Sequence, residues 1–459
     1  MKKIEDKYLF ILYLLVFLGI AATIAFLQPH IDTPPLFGNP PDEVHRYLIP
    51  RYICQYGKLP NGFDPEVRIP SYGISYAFYT MLPYIIQGFV MRFVNLFTGS
   101  EVALLYTARL VNVCFGTAMA AVVYAIGNRL FNDRRFKWLF CLLVMFLPQS
   151  LFIHTYVNTD SLCLFSTAVI VYALVRAYQD GFTKKICVIL SLGIIICSLS
   201  YYNAYGYILS SILLFLFYFT YRKQNGKLAY HGKEMLRAGI FIAVIVLVGI
   251  SWYFIRNAIL YNGDFLGMES MKKCGELYAT AETGSPYAHS YQQRGISIWQ
   301  MISETDFFAG MFMSFVGAWG SVSIVGSIWM YRFYKAVLAV GVVCFFLLKN
   351  KNQDQSVSQG RKIFFYFNMI FCAVMPLALC IYYAYSMDFQ NQGRYVMPGI
   401  IPIMYFVTKG LDKLSDRKWV LAWLRSTGVY AAIALVIGML FLMTFGYAIP
   451  VYQQTGFVM

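Results

Sequence analysis

Residues 39–60 read "NPPDEVHRYLIPRYICQYGKLP" and set Asp42, Glu43, His45 and Arg46 close together. A carboxylate beside basic groups can abstract a proton from a sugar hydroxyl while the cations hold an anionic donor. Helical spacing supports the pairing, because Asp42 and Arg46 stand four apart and share a face. The same residues also make a good helix start, since Pro40 and Pro41 precede two acids that the positive end of a helix dipole favours. Spacing alone leaves both readings open.

Further candidates gather at other helix ends. In "DFQNQGRYVMPGIIP", residues 388–402, Gln392 and Arg394 flank an apolar run, and the Arg394 guanidinium fork answers either a protein carboxylate or a phosphate. Arg109 lies about seven residues, roughly 10 Å, into its own apolar run. An intramembrane arginine faces a cavity or a partner, or snorkels to the interface. "SWYFIRNAILYNGDF" places Arg256 and Asn257 where a run ends, and "LPQSLFIHTYVNTDSL" places His154, Asn158 and Asp160 at another turn. Asn and Asp also cap helices, so each group alone is weak. Their shared placement on one side is the stronger signal.

The elements that must position these residues follow from composition. The chain has 459 residues, 59% hydrophobic and 13% charged, too apolar for a soluble domain of this size. Apolar runs of about 18 to 25 residues recur, the length that crosses about 30 Å of hydrocarbon as helix. They fall near 8–27, 103–127, 138–155, 161–178, 186–201, 203–221, 238–255, 331–348, 363–384, 395–410 and 426–449. This predicts an all-α polytopic membrane protein of about eleven transmembrane helices, forming one membrane-embedded domain over residues 1–459. The first apolar run has no small-residue cleavage site after it and reads as a retained anchor.

With the N-terminus cytoplasmic, the inner segments collect most of the 37 Lys and Arg, which accounts for the net charge of +15. The basic excess therefore records orientation and anionic lipid, and argues against nucleic acid as a partner. Two loops are large, 28–101 and 256–330, and both face outward in this topology. The first carries "IPSYGISYAFYTMLPYIIQGFVMRFVNLF", which reads as interfacial helices because Pro83, Gln87 and Arg92 make it a poor span. The inner loops are too short for a catalytic domain, so chemistry is expected at the outer face. Of ten cysteines only Cys54 and Cys274 fall outside, which leaves open whether they pair. Phosphate-cradling glycine loops, HExxH and paired CxxC motifs are missing, which argues against an ATP-driven transporter.

The segments "PPDEVHRYLIPRYICQYGKLP", "LPQSLFIHTYVNTDSL", "WYFIRNAILYNGDFLG", "FVGAWGS" and "QNQGRYVMPGIIP" together resemble a bacterial integral-membrane family of unassigned function. That family is similar to the GT-C glycosyltransferases, the class of protein O-mannosyltransferases and aminoarabinose transferases. The resemblance implies a GT-C fold in the bacterial cytoplasmic membrane and a sugar donor on polyprenyl phosphate, with an envelope glycan, lipid or protein as acceptor. It implies Asp42 or Glu43 as the catalytic carboxylate. The phosphate or substrate would be held by Arg394, with His45, Arg46, Arg109, Asn158, Asp160, Arg256, Asn257 and Gln392 as further candidates. Inversion is the simplest single displacement. Some GT-C enzymes use a divalent metal, but adjacent Asp42 and Glu43 seldom chelate together, so no obligatory cofactor is expected. The rival reading is a transporter or flippase of a lipid-linked saccharide, which needs polar groups near the midplane.

Overall fold

The computed structural model describes residues 2–29, 40–220, 231–280, 290–349 and 359–454, together with the short strands β1 (Lys223–Gln224) and β2 (Lys227–Leu228). Parts of the two large loops, residues 30–39 and 281–289, lie outside the described residues. The chain is helical almost throughout, because each long apolar run satisfies its own backbone polar groups only as helix.

Helix α1 (Lys2–Leu27) leads to the first large loop, which contains α2 (Glu43–Tyr56) and α3 (Leu82–Val94). Helices thus form in this loop as expected, and α3 turns Tyr84, Gln87 and Met91 inward while Phe89, Phe93 and Phe97 stay exposed. Next come α4 (Glu101–Leu130), α5 (Arg134–Met145), α6 (Pro148–Ile153), α7 (Asp160–Asp180) and α8 (Lys184–Ser200). Then follow α9 (Gly206–Thr220) and α10 (Gly232–Leu260). The second large loop holds α11 (Met268–Tyr278), α12 (Ile298–Glu304), α13 (Phe307–Gly317) and an antiparallel pair, β3 (Ala318–Trp319) with β4 (Ile324–Val325). The chain closes with α14 (Ile328–Leu347), α15 (Gln359–Ser386), α16 (Ile400–Ser415), α17 (Ala422–Phe441) and α18 (Ile449–Gln454).

Eight helices among the described residues are long and apolar enough to cross a membrane. Three predicted spans are built differently. The run 138–155 is broken between α5 and α6, where Pro148 starts a new helix. The run 186–201 is the 17-residue α8, and 395–410 begins as a 3-10 helix, Gly393–Gly399, before α16.

Helix α7 is the hub, with 72% of its apolar window buried against neighbours, whereas α10 has only 6% buried. An apolar helix this exposed, packed along one side on α8, turns the rest of its surface to lipid. Helices α14 and α16 cross closely at Gly341, where a Cβ would stand 2.6 Å from the Val407 carbonyl oxygen. Around the hub, Trp319 is fully buried, stacks on Phe152 and donates to the Pro148 carbonyl at 3.1 Å. That contact ties the second loop to α6, just before the turn where His154, Asn158 and Asp160 lie.

Candidate active site

Asp42 occupies the N-cap position of α2 in the left-handed region (φ 60, ψ 5), yet its side chain makes no cap hydrogen bond. A left-handed non-glycine residue is tolerated best as Asp or Asn and still costs about 1–3 kcal/mol, so surrounding contacts must hold it. They are ionic. Oδ2 accepts from Nη2 of Arg394 at 2.8 Å, and Nη2 of Arg46 lies 3.8 Å away. The simple helix-start reading is therefore insufficient for Asp42.

Arg46, one turn along α2, donates from Nη1 to Thr159 Oγ1 at 3.2 Å and faces Asp160 Oδ2 at 3.9 Å. Its guanidinium also lies 4.8 Å from the centre of the Tyr76 ring. Arg394 donates to the Tyr395 hydroxyl at 2.9 Å, and that phenol donates on to Gln390. The backbone before Arg394 is fixed by contact. The Gly393 amide donates to Ser314 Oγ at 2.6 Å, and a Cβ at Gly393 would strike the backbone of Phe315. Gly393→Ala should thus displace Arg394 from Asp42. We expect Gly393→Ala to lower the thermal midpoint at least as far as Arg394→Ala does, read by melting both variants side by side in one detergent.

These groups close one end of a cavity of about 350 Å³, lined by Asp42, Arg46, Thr80, Thr159, Asn203, Gln390 and a set of tyrosines. The Asp42 side chain is 33% exposed, whereas those of Arg46 and Arg394 are 5% and 4% exposed. Asp42 is thus the accessible member, Arg46 forms part of the wall, and Arg394 stands behind Asp42. Nε of Arg46 and Nε of Arg394 are buried and make no hydrogen bond. Burial alone would raise the Asp42 carboxyl, but Arg394 and then Arg46 outweigh it and bring it down to about 2. Because this value is below that of the unfolded chain, the Asp42 interactions stabilise the fold fully above 3.8, and this stability is lost as pH falls through about 2. Acid unfolding curves of the wild type and Asp42→Asn should converge over that window. Burial pushes the His45 imidazole down, partly offset by Asp42. His45 is half-buried and does not line the cavity.

The other predicted site residues divide sharply. Glu43 turns away from the cavity: Oε1 accepts from the Val157 amide at 2.8 Å and from Nε of Arg109 at 2.9 Å, and Oε2 accepts from Nη2 of Arg109. Arg109 spends its remaining donors on the carbonyls of Ala25, Gln28 and Pro29 and is fully buried. No guanidinium N–H remains for a ligand, so the pair is a structural clasp between α1, α2, α4 and the α6–α7 turn. Asn158 is also structural, donating to the carbonyls of Ile153 and Tyr156 and accepting from the Ser161 amide at 2.9 Å. His154 contacts Ser161 Oγ through Nδ1. This knot presents Thr159 and Asp160 to Arg46.

Asn257 donates to the Phe265 carbonyl and is buried. Arg256 donates to the Pro60 carbonyl and lines a separate cavity of about 590 Å³ with Lys58, Asp64 and Trp252, so it does not meet the Asp42 cluster. Gln392 is half-buried outside the lining, where Gln390 stands instead. Cys54 and Cys274 are buried free thiols. Two guanidiniums face Asp42, a donor set that suits an anion.

Sequence reasoning missed the lining tyrosines, Tyr84 and Gln390. The signal available was clustering of tyrosine in "SYAFYTMLPY", "SYYNAY" and "YYAYS", all of which reach the cavity.

Three solved structures share this architecture. The oligosaccharyltransferase of Archaeoglobus fulgidus, solved with Zn and sulfate, matches with a TM-score of 0.52 at 14% identity over 96% of this chain and 53% of its own. The arabinofuranosyltransferase AftD from Mycobacteria matches with a TM-score of 0.52 at 10% identity over 95% of this chain and 27% of its own. ArnT from Cupriavidus metallidurans, bound to undecaprenyl phosphate, matches with a TM-score of 0.51 at 14% identity over 96% of this chain and 74% of its own. The chain therefore spans about half of the archaeal enzyme and about a quarter of the mycobacterial one. No curated protein sequence matches it significantly. The shared fold is that of the GT-C glycosyltransferases, so the chain is an all-α, membrane-integral GT-C fold protein.

Residues 61–404 match the family described as "Predicted membrane protein (DUF2142)". The chain belongs to that family.

Proposed function

We propose that this protein is a membrane glycosyltransferase that moves a sugar from a polyprenyl-phosphate donor to a cell-envelope acceptor. The observation that carries this reading is Asp42, held in a left-handed conformation at a cavity wall between two guanidiniums and not capping its helix. Solved GT-C proteins provide the precedent: the ArnT structure contains undecaprenyl phosphate.

In the proposed step the acceptor hydroxyl oxygen attacks the anomeric carbon as the bond from that carbon to the phosphate oxygen breaks. The hydroxyl proton passes to Asp42, and the leaving phosphate goes from one negative charge to two. Arg46, the only cation in the cavity wall among the described residues, is placed to meet that developing charge. Arg394 holds the Asp42 carboxylate in position. At about 2, free Asp42 is a weak base; phosphate drawing on Arg46 removes one of its two cations and strengthens it when the donor is bound. A single displacement inverts the anomeric centre. We place the site at the outer face of a bacterial cytoplasmic membrane with the N-terminus inside, the orientation that the distribution of Lys and Arg supports.

The test is purified protein in nanodiscs, supplied with polyprenyl-phosphate sugars and an envelope extract. Free polyprenyl phosphate and a glycosylated product should form, and Arg46→Ala should lower the rate about 10²- to 10³-fold. Movement of saccharide across sealed vesicles with no glycosidic bond made would replace the enzyme reading by the transporter one.

A further inference from the structure

We infer that the sugar transferred here is a neutral one, carrying neither an amino nor a carboxylate group. This rests on the glycosyl-transfer reading above and concerns the same cavity.

Among the described residues twenty line it, nine of them tyrosine, and only Asp42 and Arg46 are charged. The tyrosines converge from three separate regions of the chain, with Tyr76 and Tyr84 in the first loop, Tyr201 and Tyr205 before α9, and Tyr382 and Tyr395 around the end of α15. A phenol offers an apolar ring face and a hydroxyl edge. A neutral sugar ring has the same division, with C–H faces above and below and hydroxyls around the rim. Thr80 adds an unmet demand, because its hydroxyl is buried with no hydrogen-bond partner. A sugar hydroxyl would satisfy it.

Charged sugars fail on pairing. An ammonium group desolvated here needs a carboxylate, and among the described lining residues the only one is Asp42, already held by Arg394 at 2.8 Å and by Arg46 at 3.8 Å. The ammonium would also stand beside two guanidiniums. A sugar carboxylate would need a second cation, yet among the described residues Arg46 is the only one in the wall and the donor phosphate claims it. Each charged variant therefore brings a buried, unpaired charge that the neutral sugar lacks.

The experiment presents the full chain in nanodiscs with three polyprenyl-phosphate donors bearing a neutral hexose, an amino hexose or a hexuronic acid, with envelope extract as acceptor. Two readouts run together: release of free polyprenyl phosphate, and donor retention by native mass spectrometry. The neutral donor should be consumed and retained about tenfold or more above the other two. Equal or better use of the amino or uronic donor overturns the inference and leaves glycosyl transfer standing. If no donor is consumed, the transfer reading falls, while retention still decides the sugar class.

Discussion

Replacing Asp42 by Asn should slow glycosyl transfer by about 10²- to 10⁴-fold, the range for losing a positioned general base. The side chain keeps its size and can still accept from Arg394, so membrane insertion and the cavity should persist. Asp160, which faces Arg46 at 3.9 Å, still supplies negative charge to the cluster. The measurement is kcat for polyprenyl phosphate release, with thermal stability of the same preparation as the control. A variant that is as active as the wild type removes Asp42 from the chemistry. Donor retention should change little, since Asp42 is proposed to act on the acceptor proton and Arg46 on the phosphate.

The second large effect is on stability and belongs to the neighbouring residue. Glu43→Gln should destabilise the protein by about 3–5 kcal/mol, because it leaves the Arg109 charge buried without its counter-ion. Arg109 is fully buried, and Glu43 also accepts from the Val157 amide, so the damage reaches the turn that positions Thr159 and Asp160. The check is the thermal midpoint in one detergent, compared with Asp42→Asn. Both changes should lower stability, but Glu43→Gln should lower it further, because Arg109 is fully buried and Glu43 is its carboxylate partner, whereas the Asp42 side chain is 33% exposed and Asp160 still faces Arg46. Equal stability in both variants would contradict the clasp.

The sequence shows much of this site but not its internal division of labour. Asp42, Arg46 and Arg394 were legible because an acid, a base one turn later and a polar-flanked arginine beside an apolar run are costly near a membrane and need partners. The split between Asp42 and Glu43 was not legible. Neighbouring residues at a helix start project in different directions, and the left-handed Asp42 backbone turns its side chain further from that of Glu43. Arg256 and Asn257 fail for the same reason: one faces a separate cavity and the other is buried behind it.

Arg109 was singled out correctly as unusual, but a single sequence cannot say whether an intramembrane arginine meets a ligand or a protein carboxylate. The irregular build of three predicted spans was hidden by apolarity that runs on through breaks such as that before Pro148. With 37 tyrosines in the chain, only the fold shows which nine share a cavity.

We propose that Asp42 and Arg46 share a pocket with the phosphate of a lipid donor. The most direct test of this proposal is a cryo-EM structure of the protein in nanodiscs with polyprenyl phosphate. Phosphate density should lie within hydrogen-bond reach of the Arg46 guanidinium, in the tyrosine-lined cavity, with Asp42 facing it. A phosphate seated in the separate cavity beside Lys58 and Arg256, with the Asp42 cavity empty of lipid, would contradict it.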